Sequence, residues 1–189
     1  MIGLEGKNAL VTGAGRGIGE ATARKLASCG ARVLVNDLDA DVAEEVAASI
    51  PGGVAHPADL TDPGAADQVV QAAIDAFGGL DIVVNNAGYI WHSAIHNMSD
   101  EQWNAMIDIH ATAQFRILRA YGRWLRGNRG PDSSTRKVVN ISSQIDLVLL
   151  SVTSVAATPL SKSPTPLKSA SEPPRTHCDR SLLTASGLS

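Results

Sequence analysis

Cysteine is nearly absent from this 189-residue chain, with Cys29 and Cys178 the only two. So few, with no metal-ligand spacing around them, exclude a disulfide framework and a cysteine-based metal site, and they fit a reducing, cytoplasmic setting. Positive charge is also in short supply: 16 Lys and Arg stand against 19 Asp and Glu, for a formal net charge of −3. Without a basic surplus or a clustered Lys/Arg run, neither nucleic acid nor an anionic membrane is an expected partner. Long apolar runs are missing too. The longest late one, residues 147–150, falls far below the roughly 20 residues that a membrane-spanning helix needs. Residues 7–11 already read as a strand, leaving no room ahead of them for a secretory signal.

Aromatic residues number only seven, and their distribution divides the chain. Residues 1–143 hold all seven and 16 of the 17 glycines, whereas residues 144–189 hold 9 Ser, 5 Thr and 5 Pro with one Gly and no aromatic. A Ser/Thr/Pro-rich stretch with few large side chains cannot bury enough apolar surface to offset the entropy of ordering. The expected organisation is therefore a globular domain over 1–143 and a tail over 144–189 that is disordered, or out of frame with an ancestral reading, or an alternative terminus.

Within 1–143, strand and helix signals alternate. Ala9, Leu10 and Val11 form a short apolar run ending in Thr12 and a glycine cluster, as a buried parallel strand would. Ile18, Ala21, Leu26 and Cys29 recur near helical spacing up to Gly30, a helix stop. Residues 31–37 read as a second strand, and Val42, Val46 and Ile50 mark an amphipathic helix. Residues 54–60 give a weak third strand broken by Pro57, after which Asp62 and Pro63 suit the opening of a helix lined by Val69, Val70, Ala73 and Phe77. A fourth strand opens at Asp81. Ser99 and Gln102 predict a capping box ahead of a long periodic stretch through Trp103, Met106, Ile109, Ala113, Ile117 and Ala120. Its apolar face, with Phe115 and Trp124, reads as core, and residues 137–141 read as the fifth strand. This alternation predicts an α/β fold: a Rossmann-like, doubly wound parallel sheet of about five strands, incomplete on its C-terminal side.

The glycine cluster sits where such a sheet binds phosphate. Between first strand and first helix stand Thr12, Gly13, Ala14, Gly15, Arg16, Gly17, Ile18 and Gly19. There the backbone must turn tightly, approach a pyrophosphate and present helix amides to it. The spacing departs from Gly-x-Gly-x-x-Gly, since the sixth position counted from Gly13 is Ile18, but Gly13, Gly17 and Gly19 fit a variant. Asp37, ending the second strand, can hydrogen-bond a ribose 2′-hydroxyl and would repel a 2′-phosphate. Arg16 pulls the other way, because it can pair with such a phosphate, and on balance NAD is expected ahead of NADP. His92 and His96 are four residues apart without an accompanying carboxylate motif, so they read as loop residues and no metal site is expected.

Taken in order, these segments resemble the short-chain dehydrogenase/reductase family over residues 1–143. Thr12, Gly13, Gly17 and Gly19 resemble its cofactor loop; Asp59 and Leu60 resemble its adenine-contacting pair; Asn85, Asn86, Ala87 and Gly88 match its tetrapeptide after the fourth strand. Asn140, Ile141, Ser142 and Ser143 resemble its fifth strand, ending in the substrate-facing serine at Ser143. The resemblance implies hydride transfer between a nicotinamide cofactor and a small alcohol or ketone, similar to 3-oxoacyl-carrier-protein reductases, in a homodimer or homotetramer. Gly15, Arg16 and Ile18 complete the implied cofactor loop, and Tyr89 and Trp91 fall where the family places part of its substrate pocket.

The same resemblance exposes what is missing. The family's water-anchoring asparagine position holds His110, which is read equally well as a helix-packing histidine. Its proton-transferring tyrosine would fall about 13 residues past Ser143 with a lysine four further on, yet position 156 is Ala156 and no tyrosine follows Tyr121. Neither Tyr89 nor Tyr121 has a lysine four residues on; those positions are Ser93 and Leu125. Impaired turnover is the expectation, with a catalytically inactive NAD-binding module or a non-functional truncated product as the alternatives.

Overall fold

The computed structural model describes residues 3–128 and 136–142, all within one unit of the chain spanning residues 1–154. The expected tail, 144–189, and with it Ala156 and Cys178, lies outside the described residues.

Five strands, β1 (Asn8–Thr12), β2 (Arg32–Asn36), β3 (Gly53–Ala55), β4 (Ile82–Asn85) and β5 (Lys137–Asn140), form one parallel sheet in the order β3-β2-β1-β4-β5. Helices α1 (Gly17–Ser28), α2 (Ala40–Ser49), α3 (Ala65–Phe77) and α5 (Ala113–Gly127) cover it, and α4 (Asp100–Ile107), which buries no residue, leads into α5. Side chains alternate along each strand, so the sheet feeds two cores. Leu10, Leu34 and Val83 pack with α3 and α5, while Val11, Val33 and Val84 pack with α1 and α2. The chain winds outward from β1 to β3, then crosses back to β4. This reversal opens a crevice at the carboxyl ends of β1 and β4.

Several local expectations hold. Val69, Val70, Ala73 and Phe77 form the buried face of α3, and the Ser99–Gln102 capping box closes with both of its hydrogen bonds. Others are corrected. The buried residues of α1 are Gly19, Ala23 and Ala27; of the periodic set only Leu26 packs against that core, partly buried, while Ala21 is exposed and Ile18 is 68% exposed. The helix lies so close to the β1 turn that small residues must face inward. A Cβ on Gly19 would sit 2.0 Å from the Gly13 carbonyl oxygen. Helix α3 begins at Ala65 rather than directly after Asp62, because Gly64 takes a left-handed conformation (φ 88°) at its N-cap. The third strand keeps only three residues. Trp103 and Phe115 are exposed rather than core; the interior of the long helical stretch is Ile109, Ala113, Ile117, Ala120 and Tyr121.

That stretch is continuous from Asp100 to Gly127, but a π-helical turn, Asp108–Thr112, separates α4 from α5. Tyr121 anchors the far end: its hydroxyl donates to the Leu80 carbonyl at 3.1 Å, and burial pushes its pKa up to about 12. Among the described residues, no helix is long and apolar enough to cross a membrane.

Candidate functional site

The crevice at the β1–β4 reversal is a cleft of about 1000 Å³. Its floor is built by a clamp between two loops. The Thr12 hydroxyl accepts from the backbone amides of Asn86 (3.0 Å) and Ala87 (3.1 Å), and the Asn86 amide Nδ2 donates to the carbonyls of Thr12 (3.1 Å) and Gly13 (2.9 Å). Thr12 is buried. It shapes the site from beneath while Asn86, Ala87 and Gly88 line it.

Glycine is required here for two separate reasons. Gly13 and Gly17 have φ of 59° and 61°, a region costly for residues with a Cβ. Gly13 also faces the Ala87 backbone at 2.7 Å from any Cβ, whereas Gly17 has nothing within 4 Å of that position. The turn therefore leaves open space at the N-terminus of α1, where amides and the helix dipole favour an anion. Gly15 lies against Asp37: its amide donates to Asp37 Oδ2 at 2.9 Å, and the Asp39 amide donates to Oδ1 at 3.2 Å.

Of the residues singled out from sequence, Gly13, Arg16, Ile18 and Asp37 line the cleft at one end, Asp59 and Leu60 along its side. Asp59 Oδ1 accepts from the amide and hydroxyl of Thr61, at 2.9 and 2.6 Å, which fixes this wall. Thr12, Gly15 and Gly19 are buried behind the lining, in the clamp and the turn, while Gly17 is exposed at the start of α1.

At the other end, His110 enters from the π-helical turn and Nε2 donates to the Tyr89 carbonyl at 2.7 Å. Its ring fills the space that a Cβ on Gly88 would claim, 2.5 Å from Cε1. His110 thus packs against the tetrapeptide and also lines the cleft. Tyr89, Ile90 and His92 extend this end, with Ile141 and Ser142 facing from β5. Trp91 meets the Tyr89 ring edge-on, with centroids 6.4 Å apart. Ser143 lies outside the described residues. Among those described, no cluster of three His, Cys, Asp or Glu could hold a metal.

Sequence reasoning missed Asn36, whose Nδ2 donates to the carbonyls of His56 and Ala58 at 3.0 and 3.3 Å and ties the end of β3 to the cleft wall. A lone amide closing an otherwise apolar strand was its signal. Asn85 was likewise assigned no separate role. It is buried, its Nδ2 donates to Asn140 Oδ1 at 2.8 Å, and its own Oδ1 finds no partner among the described residues.

The profile of the short chain dehydrogenase family matches residues 7–157. The chain belongs to that family. Similar curated members include a hydroxyacyl-CoA dehydrogenase of Mycobacterium tuberculosis, 43% identical over 157 residues, covering 77% of this chain and 49% of that protein. A 3-oxoacyl-[acyl-carrier-protein] reductase of Vibrio cholerae is 34% identical over 145 residues, covering 76% and 57%. A crystal structure of a short chain dehydrogenase from Burkholderia cenocepacia in complex with NADP superposes with a TM-score of 0.62 at 38% identity, covering 64% of this chain and 51% of that one. The chain spans about half the length of the two curated relatives named here. Family membership makes a nicotinamide dinucleotide the fitting occupant of the cleft. The open space at Gly17, the amides at the start of α1 and the Asp37 carboxylate are the matching features on this chain.

Proposed function

We propose that the chain binds a nicotinamide dinucleotide in the β1–β4 cleft and belongs to an enzyme type that oxidises small alcohols or reduces the corresponding ketones. The convergence of the Gly13–Gly19 turn and Asp37 on one cleft carries this reading. When bound, the dinucleotide supplies the hydride acceptor or donor. The chain's own part is to bind and orient. The start of α1 would hold the pyrophosphate, and Asp37, fixed by two backbone amides, keeps acceptor capacity for a ribose 2′-hydroxyl. A 2′-phosphate would meet Asp37 as a like charge, which favours NAD. Arg16 on the same wall and the NADP named with the Burkholderia relative weigh for the phosphorylated form.

Turnover is a separate matter from binding. Ser143 is the substrate-orienting group, and His110 stands where a proton-relay water would be held. Ala156, however, offers no ionisable group where a tyrosine should move the proton. Loss of a positioned general acid or base lowers rates by about 10²- to 10⁴-fold. A dinucleotide-binding module without turnover is the second reading, favoured by that same position.

Calorimetric titration with NADH and with NADPH, beside a ketone panel that includes a 3-oxoacyl thioester, separates these readings. Binding with trace turnover that Ser143→Ala removes is the expected result. Binding with no turnover at all selects the module, and absence of binding to either dinucleotide overturns the proposal.

A further inference from the structure

Three ionisable side chains line the dinucleotide end of the cleft: Arg16 from the β1–α1 turn, and Asp37 and Asp39 from the β2–α2 turn. Asp37 is immobilised by the Gly15 and Asp39 amides. Asp39 is the N-cap of α2, where an aspartate ordinarily accepts from the first free amides of the helix. Here its side chain makes no capping bond. Asp39 Oδ2 instead accepts from Arg16 Nη2 at 2.6 Å, an ion pair bridging the two turns.

We infer that Asp39 determines which dinucleotide the cleft prefers, by holding the Arg16 guanidinium away from the position of a 2′-phosphate. The inference rests on the nicotinamide reading above and adds to it a positioning residue. With the pair closed, the wall carries one positive and two negative groups, so an incoming 2′-phosphate meets a net negative field. To engage that phosphate, Arg16 must leave Asp39, and the freed carboxylate then becomes a second like charge beside Asp37. A ribose with an unmodified 2′-hydroxyl requires neither change and can hydrogen-bond Asp37 directly.

Both partners are solvent-exposed, with 66% and 48% of their side-chain surface accessible, so the pair is intrinsically weak. Weakness suits this role, because the guanidinium follows whichever anion is better placed, and removing one carboxylate redirects it. Because Asp39 does not cap α2 through its side chain, replacing the carboxylate should leave the helix intact and confine the effect to Arg16.

The test is a double-mutant cycle on the full chain with Asp39→Asn and Arg16→Gln, reading the Kd values of NADH and NADPH by calorimetry at low salt. One guanidinium released to a partly exposed phosphate should tighten NADPH binding by about five- to tenfold in Asp39→Asn, with NADH changed by less than about twofold. The gain should be several-fold smaller in the double variant, where only the removed like charge acts, and should shrink at about 0.5 M salt, where the screening length falls to a few ångströms. An unchanged NADPH-to-NADH ratio in Asp39→Asn overturns the inference, as does a gain equally large with and without Arg16. Wild-type protein that binds neither dinucleotide overturns the cofactor reading itself and the inference with it. Wild-type binding of NADH with no ratio change in Asp39→Asn overturns the latch alone.

Discussion

Across one row of the sheet, Leu10 on β1 pairs with Val83 on β4, and Val83 pairs with Val138 on β5. The first two are fully buried, while Val138 is 44% exposed. The backbone ladder is the same in both places, so strand pairing does not decide burial. Cover does: α3 and α5 lie over Leu10 and Val83 on one face, and α1 and α2 cover Val11 and Val84 on the other. On β5, by contrast, Val138 and Val139 are exposed, as is Ile141 just after it. The two ends of the cleft inherit this difference. Its Gly13–Asp37 end hangs from largely buried strands and the Thr12–Asn86 clamp, whereas its far wall, Ile141 and Ser142, follows an exposed strand.

Substitutions along the row test that comparison most directly. Leu10→Ala should cost about 2–5 kcal/mol of unfolding free energy, the range for emptying a well-packed core site, as read from urea denaturation midpoints. A loss similar to that at Val138 would break the comparison. Next in size is Gly19→Ala, whose added methyl meets the Gly13 carbonyl. Overpacking of this kind costs about 1–3 kcal/mol, and the same variant should weaken dinucleotide binding because the turn must move.

Tyr121→Phe follows, at about 1 kcal/mol for a single buried neutral hydrogen bond. It carries a pH signature. Burial raises the Tyr121 pKa to about 12, with Arg136 opposing and Asp81 assisting, against roughly 10 in an unfolded chain. The unfolded state therefore releases this proton first, and the stability tied to the neutral phenol is fully present below pH 10 and declines as pH climbs towards 12. Denaturation midpoints between pH 9.5 and about 11.5 should fall more steeply for the parent than for Tyr121→Phe; parallel slopes would count against a buried, neutral Tyr121. The smallest effect is expected at Val138→Ala, below about 1 kcal/mol, since much of the removed surface is already in water. A larger loss would show that β5 is covered after all.

Much of this architecture was legible in the residues themselves. The apolar runs at Ala9–Val11 and 82–84, the α3 face and the Ser99–Gln102 box are short-range patterns in which the signal and the structure share the same few positions. The α1 face was misread because hydrophobicity ranked Ile18 and Leu26 above Gly19 and Ala23, while the sheet, passing close by, selected for size instead. Trp103 and Phe115 misled in the same way: periodicity identifies an apolar stripe but not whether a neighbour covers it. In the site, the glycine turn and Asp37 were visible as local spacing. Asn36 acts on carbonyls 20 and 22 residues away, and the Thr12 clamp reaches across 74 and 75 residues, distances at which no spacing rule operates.

What the amino-acid sequence determined by itself was the alternation of strands and helices, the parallel sheet that follows from it, and the glycine turn after β1. The alternation and the turn show as patterns among neighbouring residues, and a parallel sheet follows from strands that alternate with helices. Tertiary structure alone decided the strand order β3-β2-β1-β4-β5, the burial of small rather than large residues on α1, and the pairing of Arg16 with Asp39. Each arises only when segments remote in the chain are packed together, because steric fit and charge proximity are properties of the assembled fold.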